Sequence, residues 1–122
     1  GGAMTEAEAL AALRRMADAD AEPALSDADL ADCLAMSRLA DALGRAPGDP
    51  NWEPTWDLNR GAAEAWRRRA GRLAGRYDLT ADGQTFRRSQ AIEHCERMAA
   101  QYRRRIVAAP VLPGPATVGW RA

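Results

Sequence analysis

The chain has 122 residues, 47% hydrophobic and 28% charged, with 17 acidic and 17 basic side chains in balance. That length suits one domain with a modest core, and the apolar content excludes a chain disordered throughout. Two cysteines exclude a disulfide framework, and no apolar run approaches the ~18 residues of a membrane helix.

Aromatic residues make up only 6%, and alanine supplies much of the apolar count. Alanine favours helix but buries little area per residue, so such a chain forms helices readily and a thick core with difficulty. It gains by burying surface against neighbours. Met4-Thr5-Glu6 reads as a natural start, so Gly1–Ala3 are set aside as a tag remnant. No basic leader precedes an apolar stretch, and cytoplasmic synthesis with free thiols is the expectation.

The first helix is expected from Thr5, whose spacing to Glu8 is that of a capping box; Leu10, Leu13 and Ala17 form its narrow apolar stripe, and 18–23 ends it. A second helix starts at the N-cap Ser26, with Asp27 and Asp29 at the positive end of the macrodipole and Leu25 and Leu30 as a staple. Leu30, Cys33, Leu34, Ala40 and Leu43 extend it to Gly44, a natural C′ residue. Residues 44–56 hold three prolines and two glycines and read as a loop that carries Trp52 and Trp56. These two indoles either fold back to cap a thin core or anchor an interface.

A third helix is expected from about Asp57 to Tyr77, with Leu58, Ala62, Trp66, Ala70, Leu73 and Tyr77 on one face and Arg60, Arg67, Arg68 and Arg72 on the other. Gly71 and Gly75 stand four apart and would admit a second backbone closely. Asp82-Gly83 is a hairpin turn signal, so 77–88 is expected as a small β-hairpin or ordered loop ending near Phe86. The fourth helix then runs from near Ser89 to about Ala108, with Ile92, Cys95, Met98, Ala99, Tyr102 and Ile106 on its apolar face. The fold class expected is mostly all-α: a four-helix bundle over 1–108 with an extended tail at 109–122. That tail, with Pro110, Val111, Leu112, Pro113, Val118 and Trp120, cannot be helical. Strand addition or groove docking on a partner is favoured over a strap across its own domain.

Residues 1–57 carry 12 acidic residues and 4 Arg, a charge of −8; residues 58–122 carry 5 acidic residues and 13 Arg, a charge of +8. Every cation is Arg. Poles of opposite sign suit head-to-tail packing of copies, or one face turned toward nucleic acid. Asp27, Asp29 and Asp32 mark the acidic face; Arg67, Arg68, Arg72, Arg103 and Arg104 mark the basic one. No convergent catalytic set is present and no cofactor is expected. His94 and Cys95, adjacent on a helix, point about 100° apart, so they do not form a shared metal geometry with Cys33 without further convergence.

The order of parts is informative. Asp57-Leu58-Asn59-Arg60-Gly61-Ala62-Ala63-Glu64-Ala65-Trp66 is followed by Arg76-Tyr77-Asp78, then Asp82-Gly83-Gln84-Thr85-Phe86-Arg87-Arg88-Ser89-Gln90 and a last helix. Over roughly 52–105 this resembles the head–tail connector (adaptor, or head-completion) proteins of tailed phages, prophages and gene-transfer particles. The run Arg67-Arg68-Arg69 and the N-terminal third depart from that pattern.

The resemblance implies a helical homo-oligomer, commonly a ring of twelve, beneath the portal protein. It would extend the DNA channel and dock the stopper or tail-completion protein, with its C-terminal segment reaching into the portal. DNA would pass through without sequence-specific binding, and an acidic lumen would keep it from sticking. It would be made in the host cytoplasm and end in the particle neck, with no membrane. Two other readings remain at this point: a helical nucleic-acid-binding regulator using the Arg faces, and a small-molecule or metal module around Cys33, His94 and Cys95.

Overall fold

The structure is a computed structural model that describes residues 4–75 and 82–106. Four helices form: α1 (Glu6–Met16), α2 (Asp27–Met36), α3 (Leu58–Gly75) and α4 (Asp82–Arg104). No strand occurs among the described residues beyond an isolated antiparallel bridge, Arg38 with Trp56. The chain is mostly all-α.

Both N-terminal helices begin where their caps dictate. Thr5 and Ser26 adopt extended backbone, accept from the N–H of Glu8 and Asp29, and receive those carboxylates on their own N–H groups. Each box satisfies two orphan donors; losing the cap hydroxyl costs about 1 kcal/mol. Asp18, at φ 50°, turns the chain out of α1.

The end of α2 corrects the sequence reading. The helix stops at Met36 with Ser37 as its C-cap, so Ala40 and Leu43 are not helical and Leu43 is 75% exposed. Ser37 Oγ donates to the Cys33 carbonyl one turn back, which competes with continued helix. Gly44 does take positive φ, +81°, but in a tight turn whose N–H reaches the Asp41 carbonyl. Asp41 organises that loop: its carboxylate accepts from the N–H groups of Leu43, Arg45 and Glu53 and from Arg45 Nε at 2.7 Å. The ends of the loop are zipped by Leu39 N–H to the Thr55 carbonyl and Asp57 N–H to the Ser37 carbonyl.

The hairpin expected at 77–88 is also corrected. From Asp82 onward, Gly83 and Phe86 included, the backbone is the start of α4; residues 76–81 lie outside those described. A lone two-stranded hairpin has too few partners to be stable, whereas 84–104 contains no glycine or proline to interrupt a helix. Tyr77 lies outside the described residues, which follow α3 as far as Gly75.

α3 is the central element. One side meets α1 and α2 through Ala9, Leu13, Leu30, Cys33, Leu34, Ala62 and Ala65; another meets α4 through Trp66, Ala70, Cys95 and Ala99. Among the helices α4 packs on α3 alone, so the expected bundle is a pair of sub-cores sharing one helix, with Tyr102 against both. Small residues bring the backbones close. At Gly61 an added Cβ would meet Ser37 Oγ, the Cys33 carbonyl at 2.9 Å and Leu13 Cδ1 at 3.3 Å. Among the described residues no close approach occurs at Gly71 and Gly75: none of their atoms lies within 4 Å of a Cβ at either.

Candidate docking surfaces

The two charged halves meet inside one chain. Because α2 packs on α3, its acidic residues face the arginines of α3. Arg72 grips Asp29 at both oxygens, 2.7 and 2.9 Å, and Arg68 reaches Asp32 at 3.5 Å. Arg67 and Arg68 both hold Glu64 at 2.7–2.8 Å. Asp27 pairs with Arg14, which also holds Asp20 at 2.8 Å. Arg72 and the Ser26 N–H hold the Asp29 carboxyl well below the usual carboxylate range, against the opposing effect of burial. For Asp41 burial pulls upward, and the N–H groups of Glu53, Arg45 and Leu43 with the Arg45 guanidinium outweigh it, leaving that carboxyl depressed too.

Asp27, Asp29, Asp32, Arg67, Arg68 and Arg72 therefore form ion pairs rather than two bare faces. Exposed pairs of this kind contribute about 0–1 kcal/mol each, and the fork on Asp29 is the best formed. Arg103 and Arg104 are exposed in the last turn of α4, where cations suit the negative end of the macrodipole.

Arg69 is the functional-looking residue that the sequence reading grouped with its neighbours. It is only 4% exposed, and it donates to the carbonyls of Ala17 (3.0 Å), Glu22 (3.1 Å) and Pro23 (3.3 Å). Its position three after Trp66 puts it on the apolar stripe, which was the available signal. This arginine is a structural staple.

Trp52 and Trp56 meet edge to face, 6.3 Å between centroids, and Trp52 Nε1 donates to the Leu39 carbonyl at 2.8 Å. Both are half-buried and border an open cleft of about 250 Å³ floored by Leu10, Leu34 and Ala35, with Arg38 and Glu6 at its rim. A second depression, about 430 Å³, runs between α3 and α4 over Ala70, Gly71, Ala74, Ile92 and Ala99, with Arg67, Glu96 and Arg103 around it. The two share no residue. Gly71 and Ala74 are exposed there; of the two glycines singled out in the sequence, Gly71 lines the depression, while Gly75, also exposed, does not.

The tail residues Pro110, Val111, Leu112, Pro113, Val118 and Trp120 lie outside the described residues. So do the side chains of Asp82 and Phe86; for these two and Gly83 the backbone alone is described.

Cys33 and Cys95 are free and buried in different sub-cores. Burial pushes the Cys33 thiol up to about 11 and raises Cys95 as well. His94 is exposed and stands edge-on to Trp66 at 5.4 Å. Among the described residues, no group of three or more His, Cys, Asp or Glu is placed to hold a metal, and no helix is long and apolar enough to cross a membrane. Comparison with protein-family models, with curated proteins and with solved structures finds no match.

Proposed function

We propose that the chain is a structural head–tail adaptor, which builds a ring under the portal of a tailed phage or phage-derived particle. One observation carries the reading: folding leaves two unlike apolar surfaces open, the tryptophan cleft and the small-residue groove between α3 and α4, with no lining residue in common. A ring of identical copies needs two different faces on each subunit, one to give and one to receive. Gly71, Ala74 and Ala99 let a neighbouring helix approach the groove closely, while Arg67, Glu96 and Arg103 supply charges to set its register.

The internal pairing of the charged halves changes one part of the picture. Ring contacts would rest on these apolar surfaces rather than on −8 and +8 halves packing across subunits. An acidic channel wall would draw on the remaining exposed carboxylates, beyond those paired with Arg14, Arg68 and Arg72. The isolated chain would be monomeric and would close into a ring on the portal, docking through its proline-rich tail.

The experiment is removal of 110–122, with portal binding and far-ultraviolet circular dichroism measured together. Helical content should persist while portal binding is lost. A shortened chain that still bound the portal would refute the docking role of the tail.

A further inference from the structure

We propose that Leu43 of one copy seats in the groove between α3 and α4 of the next copy. The inference rests on the ring reading and names the contact that would join its subunits. Among the described residues Leu43 is the most exposed large apolar side chain, at 75%. A lone exposed leucine is ordinary on a protein surface, but this one is held out on a fixed turn. The Asp41 carboxylate accepts from the N–H groups of Leu43, Arg45 and Glu53, and the Gly44 N–H reaches the Asp41 carbonyl. Gly44 supplies the positive φ, +81°, that closes the turn. A side chain whose backbone is already ordered loses little further entropy when it docks. The turn is a preformed knob.

The groove has the lining and the charge to receive it. Its volume is about 430 Å³, and small residues (Ala70, Gly71, Ala74 and Ala99) line it together with the larger Ile92. Arg67 and Arg103 stand against Glu96 at its rim, a net charge of +1. Residues 41–53, which carry Leu43, hold Asp41, Asp49 and Glu53 against Arg45, a net charge of −2. Glu53 is exposed and meets Arg45 only at 3.8 Å, while Arg103 forms no ion pair with any described residue. Opposite charges of this kind steer and orient a contact between copies. A chain does not fill its own groove in this way. The loop joins α3 at Leu58, and Ala70 lies about 18 Å farther along that helix. Leu43 is not among the residues that line the groove. A contact between two unlike surfaces repeats head to tail, and so can close a ring.

One small contact is weak in dilute solution, so the test uses the full chain at millimolar concentration. A nitroxide is attached at exposed Ala46→Cys, which leaves Leu43 in place, and that chain is mixed with isotope-labelled parent chain. Cys33 and Cys95 are buried and compete poorly for the reagent. Only contacts between copies then broaden the parent's amide resonances. Broadening is expected at Gly71, Ala74, Ile92 and Ala99. It should fall at least about fivefold when the nitroxide chain also carries Leu43→Ser, or when the parent carries Ala74→Glu. Leu43 is exposed, so its substitution leaves the helices intact. Broadening that is absent, that centres on Trp52 and Trp56, or that survives Leu43→Ser would overturn the proposal. The ring reading has its own readout on the portal. A ring that closes there unchanged with Leu43→Ser would overturn this contact and leave the adaptor standing. Groove broadening without any ring would support the contact and count against the adaptor.

Discussion

The guanidinium carbon of Arg69 lies 4.4 Å from the centre of the Trp66 ring, and the same guanidinium donates to three carbonyls in the α1–α2 connection. Trp66 in turn donates from Nε1 to the Met16 carbonyl at 3.0 Å. These two residues of α3 thus hold the turn that sets α2 against α1, while Trp66 also packs on α4 through Cys95 and Ala99. The alanine-rich helices bury little area, so the sub-cores depend on this joint.

Arg69→Leu removes the cation and leaves the carbonyls of Ala17, Glu22 and Pro23 without their donor. Each such carbonyl costs about 1 kcal/mol, so a loss of about 3 kcal/mol is expected from denaturant midpoints. Arg69→Lys should recover only part, because an ammonium lacks the planar fork. A loss below about 1 kcal/mol for the Leu variant would show that the staple is not stabilising.

Gly61→Ala and Gly71→Ala should have opposite signs. At Gly61 the new methyl meets the Cys33 carbonyl and Ser37 Oγ, so destabilisation of about 1–3 kcal/mol is expected. At Gly71 the methyl meets none of the described residues within 4 Å, and gained helix propensity should stabilise by about 0.5–1 kcal/mol. Thermal melts of the two variants decide it; equal signs would contradict the packing of α2 on α3. Under the adaptor reading, Gly71→Ala should also weaken ring formation while raising stability.

Asp29 and Asp41 both have depressed carboxyl pKa values in the folded chain. A depressed acid contributes stability above its unfolded value, near 3.8, and loses it as pH falls toward the folded one. Unfolding free energy should therefore be level above about pH 5 and drop as pH falls below about 4. Asp41→Asn should be less stable at pH 7 and show a shallower drop in acid. A variant with the same acid slope as the parent would show that Asp41 is not linked to folding in this way.

Both thiols should resist a disulfide reagent at pH 8, since the protonated form is unreactive and the sulfurs are covered. Reaction should follow unfolding, with Cys95 ahead of Cys33 because its sub-core is the smaller. Prompt titration of either thiol in the native chain would contradict the packing.

Local signals were legible where local chemistry decides structure. The capping boxes at Thr5 and Ser26, the apolar stripe through Ala62, Trp66 and Ala70, and the mostly helical class are all visible in residue spacing. Errors arose where tertiary context overrides a local rule. Gly44 has the backbone of a helix cap, but α2 ends seven residues earlier at Ser37, whose Oγ donates to the Cys33 carbonyl, and the bridge from Arg38 to Trp56 carries the chain away. Asp82-Gly83 has hairpin chemistry yet begins α4. The charge poles pointed outward in the sequence because no spacing rule foretells that Asp29 will find Arg72. The tryptophan cleft was half legible: Trp52 and Trp56 stood out, whereas Leu10, Leu34 and Arg38 join them only once α1 and α2 pack.

The central claim is that this chain completes itself with other copies in a ring. Electron microscopy of the chain mixed with portal assemblies tests it most directly. The account predicts a closed ring of about a dozen copies on one end of the portal, absent when the portal is withheld. A chain that stays monomeric beside the portal, and instead binds duplex DNA with an affinity that falls steeply with salt, would contradict it.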